Sequence, residues 1–156
     1  MAIQSGWCTI MKIREAIPGD ENAIMELICA LALYEKAPEQ VVNTAEDLGK
    51  HLFEERICDA LVVEHERKIV GFALYFTNYS TWKGKCLYLE DFYVLSEYRR
   101  SGIGSQLFDR VVEIAKSREV KRMDWQVLEW NEPALEFYRK KQAVLDPEWI
   151  NGRLFF

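Results

Sequence analysis

The chain has 156 residues, of which 49% are hydrophobic and 13% aromatic, enough for one substantial core and too few for two. Its formal charge of −5 at pH 7 comes without a basic block, so we expect no binding to a nucleic-acid backbone. No apolar run approaches the ~20 residues of a membrane span, and residues 1–10 lack the pattern of a signal peptide. We predict one domain over residues 11–156, with Met11 as a candidate start, preceded by an N-terminal tail over residues 1–10.

The cysteines and histidines carry no recognisable site. The four cysteines are widely spaced, with no Cys-x-x-Cys pair, and His51 and His65 are the only histidines. We therefore expect neither a disulfide framework nor a metal site, and a reducing, cytoplasmic location.

The first half of the chain alternates between helical and strand periodicity. The segment "MKIREA" predicts a strand, and "PGDENAIMELICALALYE" predicts a helix capped by Asp20. A second helix is predicted in "TAEDLGKHLFEE", where Thr44 and Asp47 resemble a capping box with Asp in place of Glu. The segment "DALVVEHERKIVGFALYFTNYS" predicts two strands joined by a tight turn at Glu66 to Lys68.

The second half continues the sheet and covers it. A third long strand is predicted through "CLYLEDFYV", then a helix in "GIGSQLFDRVVEIAKSRE" and a strand in "RMDWQVL". Asn131 is expected to cap a short helix in "EPALEFYRKK", and "GRLFF" is predicted as a last strand. This order of elements indicates a mixed sheet covered by helices rather than a doubly wound fold.

Two close glycines follow the third strand. In "RRSGIGS", Gly102 and Gly104 open a helix, so backbone N–H groups and the helix dipole can converge on an anion. A P-loop would have Lys where Ser105 stands, and a dinucleotide fingerprint would have Gly where Leu107 stands, so both motifs are disfavoured. A ligand-free tight turn is the alternative, but the two preceding arginines favour a phosphate or pyrophosphate.

Two adjacent carboxylates, Glu90 and Asp91, stand inside an otherwise apolar strand. On a regular strand they would face opposite sides of the sheet, so at least one should be poorly solvated. A buried carboxylate is costly unless it is paired, or unless its raised proton affinity serves a general base. Both explanations, an acid satisfied by a neighbouring Arg or by solvent at the strand end and a catalytic base, remain open from this segment alone.

The segment "LYLEDFYVLSEYRRSGIGSQLF" resembles the acetyl-CoA-binding core of the GCN5-related N-acetyltransferases (GNAT), whose pattern is Arg/Gln-x-x-Gly-x-Gly/Ala. Together with "LALYEKAPEQV", "YSTWKGKCLYLEDFYV" and "EWNEPALEFYRKK", it is similar to the branch of diamine (spermidine/spermine) and thialysine acetyltransferases. The resemblance covers nearly the whole chain from Met11. It implies the α/β (α+β) GNAT fold, a mixed, mostly antiparallel sheet of about six to seven strands flanked by about four helices.

The resemblance also implies roles for individual residues. Acetyl-CoA would lie against Phe92, Tyr93, Val94, Arg99, Arg100, Ser101, Gly102, Ile103, Gly104, Ser105 and Asn131. An alkylamine with a pKa near ~10.4 is protonated at neutral pH, so a base must take a proton. The resemblance implies Glu90 as that base, through water, and Tyr138 as the acid for the departing thiolate. Core packing is the alternative role of Tyr138.

The same resemblance implies an amine pocket that includes Tyr34, Glu35, Trp82 and Asp91. Carboxylates and aromatic faces of this kind suit a cation. Trp82 alternatively covers the sheet from a hairpin tip. Ser80 stands where polyamine enzymes have an acid, and "EWINGRLFF" replaces their acidic-aromatic segment. A thialysine- or lysine-like amino acid and a polyamine therefore both remain candidate substrates.

We thus predict an acetyl-CoA-dependent N-acetyltransferase for a small primary amine, acting as a homodimer without nucleic-acid, membrane or metal partners. Acetylation of a protein lysine or N-terminus is one alternative. A non-catalytic acetyl-CoA-binding regulatory module is another, but such a module would need neither Glu90 nor Tyr138.

Overall fold

The computed structural model describes residues 10–156, so the tail predicted over residues 1–10 lies, except for Ile10, outside the described residues. The chain divides into two compact units, one running to Trp125 and the other from Gln126 to Phe156. The single domain over residues 11–156 stays a prediction.

The first unit is built on a five-stranded sheet in the order β1-β2-β3-β4-β5. The first four strands pair antiparallel and β4 pairs parallel with β5. The mixed, mostly antiparallel sheet is therefore confirmed, with five strands in place of six to seven. The strands are β1 (Lys12–Glu15), β2 (Asp59–His65), β3 (Lys68–Ser80), β4 (Gly84–Val94) and β5 (Met123–Asp124).

Two strand predictions near the end of the chain are wrong. The strand β5 is much shorter than "RMDWQVL", because the chain leaves the sheet at Trp125, whose ring packs against Phe108 with centroids 5.6 Å apart. The segment "GRLFF" forms no strand. Its apolar residues are contiguous rather than alternating and are exposed, Leu154 by 84%, so no buried face holds a strand register there.

Four helices accompany the strands within residues 10–156, as predicted. Of these, α1 and α2 pack on one face of the sheet, and α2 continues as a π-helical turn over Lys50–Glu54. The helix α3 packs across β2, β3 and β4, and strand alternation places it on the opposite face. The helices are α1 (Glu21–Tyr34), α2 (Ala45–Gly49), α3 (Ile103–Ser117) and α4 (Glu132–Lys140).

The two faces of the sheet have separate sets of buried side chains. The face that receives α1 and α2 buries Ile24, Leu27, Leu48, Leu52, Ala60, Val62, Phe72 and Leu74. The buried residues of α3 are Ile103, Leu107, Phe108, Val111 and Ala115. Burial of such aliphatic side chains on both faces stabilises the sheet by about 1.5–3 kcal/mol for each side chain.

Of the three predicted helix caps, Asp20 is the one that fails. Asp20 precedes α1, but its carboxylate accepts hydrogen bonds from Arg14 Nη1 at 2.7 Å and from Ile17 N at 2.9 Å. The guanidinium of Arg14 therefore holds the carboxylate away from the helix end.

The caps of α2 and α4 are confirmed. Thr44 Oγ1 accepts a hydrogen bond from Asp47 N at 3.1 Å, and Asn131 Oδ1 accepts one from Ala134 N at 3.4 Å. The return bond of a full capping box is absent at α2, where the Asp47 carboxylate accepts from Thr44 Oγ1 at 2.9 Å. The shorter Asp side chain explains this difference from the usual Glu.

Gly71 in β3 permits the close approach of β4. A Cβ at this position would lie 3.0 Å from both Tyr93 O and Val94 Cγ2. We expect Gly71→Ala to lower the free energy of unfolding by about 1–3 kcal/mol, because neither backbone nor buried side chain can move freely. Urea denaturation measures this, with Gly49→Ala as control, since a Cβ there meets only the Glu21 side chain. Equal destabilisation by both variants would contradict the expectation.

No helix within residues 10–156 is long and apolar enough to cross a membrane.

Candidate active site

The candidate site begins at an irregularity in the pairing of β3 with β4. Leu74 pairs with Asp91 and Tyr75 pairs with Leu89, so Glu90 is the extra residue of a β-bulge. The regular alternation expected for the two acids is therefore broken. Leu89 is buried, Glu90 is exposed and Asp91 is half-buried.

Asp91 faces the end of α1. Its partner Leu74 belongs to the core under α1 and α2, and Tyr93, two residues further along β4, packs against the same core. Glu35 follows the last residue of α1. Burial, and next the negative charges of Glu90 and Glu35, raise the pKa of Asp91 to about 7. Burial also raises the pKa of Glu35.

This environment bears on the two explanations of the acidic pair. Among residues 10–156, no ion pair involves Glu90 or Asp91, so pairing with an arginine is not found. The exposure of Glu90 agrees with satisfaction by solvent, whereas Asp91 is a carboxyl whose pKa lies near neutrality. The raised pKa belongs to Asp91, however, which the resemblance implies as a substrate-binding residue. The role of Glu90 as base stays a prediction.

Arg99 connects three parts of the first unit. Its Nε donates a hydrogen bond to Val94 O at 2.7 Å. Its guanidinium carbon lies 5.5 Å from the ring centroid of Tyr34, at the end of α1, and 5.1 Å from that of Tyr93. Tyr34, implied for the amine pocket, and Arg99, implied for acetyl-CoA, are therefore brought into direct contact.

The segment that enters α3 has the backbone of an anion-binding loop. Arg100 and Gly102 both have left-handed backbone conformations, with φ of 63° and 84°. Gly102 stands at the helix N-cap, and the first N–H group of the helix, that of Ile103, donates to Ser101 Oγ at 3.4 Å, while the first N–H groups of a helix have no partner inside it. Ser101 Oγ donates to Tyr98 O at 2.8 Å, which closes the loop. Successive N–H groups in such conformations form a concave site for a phosphate.

The edge of β4 beside this loop suits an extended amide-containing ligand. The pairing of β5 with β4 ends at Tyr88 and Asp124, whereas β4 continues to Val94. Phe92, in this extension, packs its ring against Phe108 of α3, with centroids 5.8 Å apart. The loop and the extended strand edge are the two places to which the resemblance assigns the pyrophosphate and the amide groups of acetyl-CoA.

Trp82 lies apart from the acidic cluster, which consists of Glu35, Glu90 and Asp91. It occupies the turn between β3 and β4, where its backbone N–H donates to Ser80 Oγ at 3.2 Å. Its side chain is 82% exposed. The structure therefore does not place Trp82 in a closed pocket, and it does not cover the sheet either, because a covering aromatic would be buried.

Two of the site residues implied by the resemblance, Asn131 and Tyr138, belong to the second unit. Asn131 caps α4, as described above. Tyr138 lies in the last part of α4, is 7% exposed, and has its ring centroid 5.4 Å from that of Phe137. Both the catalytic and the core-packing role of Tyr138 remain compatible with this burial.

No group of three or more metal-ligating side chains is present in the described part of the chain.

Sequence reasoning missed two features of the first unit, the bulge at Glu90 and the contact between Arg99 and Tyr34. The bulge has no periodic signal. The Arg99 contact joins residues far apart in the sequence, and only the aromatic and cationic types of the two residues hint at it.

Residues 23–143 match the model of the acetyltransferase (GNAT) family. Over 136 residues the chain is 40% identical to thialysine N-epsilon-acetyltransferase from Bos taurus. The aligned region covers 81% of this chain and 80% of that protein. It is 35% identical over 141 residues to spermidine/spermine N(1)-acetyltransferase-like protein 1 from Homo sapiens, covering 85% of this chain and 20% of that protein.

A solved structure has the same fold. The aminoglycoside acetyltransferase meta-AAC0020 from an uncultured soil metagenomic sample, in complex with trehalose, matches with a TM-score of 0.77. The match covers 94% of this chain and 96% of that chain at 20% identity. At this identity the likeness concerns the fold alone.

Proposed function

The chain belongs to the acetyltransferase (GNAT) family and is an N-acetyltransferase, and we propose that it transfers the acetyl group of acetyl-CoA to a small primary amine. The observation that carries the proposal is the half-buried carboxyl of Asp91, whose pKa is raised to about 7 beside Glu90 and Glu35. A site with three carboxyl groups attracts a cationic amine, and an ionised carboxyl with this pKa can accept a proton from the amine as the amine attacks.

Acetyl-CoA, when bound, supplies the acetyl thioester that the amine attacks. The N–H groups from Arg100 to Ser105 would hold its pyrophosphate, supported by the helix dipole of α3. The β4 extension over residues 92–94 would accept and donate hydrogen bonds along the pantetheine arm, as one more strand does at a sheet edge. Asn131 is assigned to the same ligand by the resemblance.

The acidic pair performs the proton removal. An amine with a pKa near ~10.4 carries a proton that must leave before its nitrogen can attack. We assign that proton to the Glu90–Asp91 pair, because the negative charge of Glu90 contributes to the raised pKa of Asp91. Asp91 is the member whose pKa is matched to neutral pH, and the exposed Glu90 is the member accessible to water.

The transfer forms the amide C–N bond and breaks the thioester C–S bond. The thiolate that departs needs a proton, and the resemblance assigns its donor to Tyr138. The phenol would give its proton to the sulfur and regain one from solvent. Proton donation by the hydroxyl distinguishes the catalytic role of Tyr138 from a role in core packing, which needs only the ring.

The composition of the amine site supports an amino acid ahead of a polyamine. Tyr34, Glu35 and Asp91 offer an aromatic face and carboxylates to one ammonium group. Trp82 is exposed and Ser80 lacks charge, so little beyond this cluster would hold further ammonium groups. The relative from Bos taurus is named for thialysine, which agrees with this preference.

A panel of amines tests the function. We expect CoA release to be faster with thialysine than with spermidine, by about tenfold or more in kcat/KM. Lysine, spermine, putrescine and a lysine-containing peptide complete the panel, and reactions without amine give the background hydrolysis. Acetylation of the peptide alone would favour a protein substrate. No reaction with any amine, despite acetyl-CoA binding, would favour a regulatory module.

The cytoplasmic location, expected from the cysteine pattern, and the homodimer, implied by the resemblance, are retained as part of this proposal.

A further inference from the structure

Arg99 occupies a position between the two halves of the site proposed above. Its Nε is bound to Val94 O at 2.7 Å, so the base of the guanidinium is fixed to the end of β4. The guanidinium also contacts the rings of Tyr34 and Tyr93. One side chain therefore joins the last residue of α1, the strand β4 and the start of the anion-binding loop.

We propose that Arg99 is a positioning residue that couples amine binding at Tyr34 and Glu35 to acetyl-CoA binding in the loop from Arg100 to Ser105. The inference rests on the proposed function of both sites. It predicts that each ligand raises the affinity for the other, since coupling between two sites is reciprocal.

The loop side of this coupling follows from the backbone. Arg100, directly after Arg99, has a φ of 63°, and Gly102 has a φ of 84°. These two left-handed residues set the directions of the N–H groups that would bind a phosphate. The left-handed segment starts at the residue directly after Arg99. When the guanidinium is held in place, the backbone of Arg99 is held with it, and the start of the loop then has a fixed orientation.

The amine side follows from the end of α1. Tyr34 is the last residue of the helix, and Glu35 follows it, with its backbone N–H bonded to Leu31 O at 2.9 Å. A cation bound between Glu35 and Asp91 would order this helix end. The Tyr34 ring, against which Arg99 lies, would then be ordered with it.

Direct titration of acetyl-CoA in the absence of amine tests the Tyr34–Arg99 contact that would transmit the coupling, without depending on turnover. Tyr34→Leu removes the aromatic face but keeps an apolar side chain, whereas Tyr34→Phe keeps the face. We expect the Kd for acetyl-CoA to rise about three- to tenfold in Tyr34→Leu and to stay within about twofold in Tyr34→Phe. An unchanged Kd in Tyr34→Leu would overturn the inference, because Tyr34 would then act on the amine alone.

A double-mutant cycle provides the second test. Arg99→Met should raise the Kd for acetyl-CoA, and adding Tyr34→Leu to it should cause no further loss, since the contact is already absent. Arg99→Met should also raise the KM for the amine at saturating acetyl-CoA, and its Tm is measured on the same preparation. Additive effects of the two substitutions would overturn the proposal. If Arg99→Met does not fold, Arg99→Lys serves, because an ammonium lacks the planar face.

These measurements separate this inference from the proposed function. A wild-type protein that binds no acetyl-CoA would refute both. A wild-type protein that binds acetyl-CoA and acetylates amines, with independent Tyr34 and Arg99 effects, would refute the coupling alone.

Discussion

Replacing Asp91 with asparagine is expected to lower kcat by about 10²–10⁴-fold, the range for loss of a general base. The substitution keeps the size of the side chain and removes the group whose pKa is raised to about 7. Amine binding should weaken as well, because one negative charge of the cluster is lost. Steady-state kinetics with separate determination of kcat and KM measures both effects.

The pH dependence identifies which member of the pair accepts the proton. A carboxyl is a base only when it is ionised, so wild-type kcat/KM should rise with pH through about 7, where Asp91 loses its proton. Glu90 contributes to the raised pKa of Asp91 through its negative charge. Glu90→Gln should therefore lower the pKa of Asp91 and move the acidic limb of the profile to lower pH, with a smaller loss of kcat than Asp91→Asn.

The opposite pattern would support the role that the resemblance implies for Glu90. If Glu90→Gln costs about 10²-fold or more in kcat while Asp91→Asn affects mainly KM, then Glu90 is the base and Asp91 binds substrate. Both variants are close in shape to the wild-type residues, and an ionised Asp91 with a raised pKa disfavours the folded state. Asp91→Asn should therefore be at least as stable as the wild type in unfolding curves at neutral pH, which excludes a folding defect. The two substitutions therefore form a matched pair for this question.

The fold was predictable wherever periodicity is strong. The segment around Glu66 to Lys68 separates two alternating runs, and β2 and β3 are found on either side of that turn. The apolar positions of α3, from Ile103 to Ala115, follow helical spacing and are buried. The family was recognised through motif residues such as Gly102 and Gly104, and the match over residues 23–143 confirms it.

The electrostatics of the site could not be predicted because they depend on tertiary contacts. Adjacent acids on a strand predict opposite faces, but the bulge at Glu90 changes the exposure of both acids. The charge of Glu35 reaches Asp91 only because α1 packs on β4, a contact between residues far apart in sequence. Residue type therefore identified the acidic pair, whereas the exposure and the electrostatics of its two members depend on the tertiary structure.

The strand that was wrongly predicted at "GRLFF" shows the limit of propensity. Leu154, Phe155 and Phe156 favour strands by type, but a strand also needs a neighbour and a buried face. These side chains are exposed in the second unit. Local preference without a partner was insufficient to form the strand.

Tyr138→Phe is expected to lower kcat by about 10²-fold if the phenol protonates the departing thiolate. The ring of Tyr138 is buried, and Phe retains that ring, so the packing of the ring should be kept. The KM for the amine should also be nearly unchanged, because the hydroxyl acts on the leaving group. Steady-state kinetics and urea denaturation of the same preparation test these expectations together.

A leaving-group test distinguishes proton donation from packing. When the acetyl donor is an analogue of acetyl-CoA with a more acidic thiol, the thiolate departs without needing a proton. Tyr138→Phe should therefore lose much less rate with the analogue than with acetyl-CoA. Phe137→Leu is the control for packing in α4, since the Phe137 ring contacts that of Tyr138. This control should lose stability but show the same sensitivity to the thiol as the wild type. An equal loss by Tyr138→Phe with both donors would assign Tyr138 to the core, because a packing defect does not depend on the acidity of the thiol.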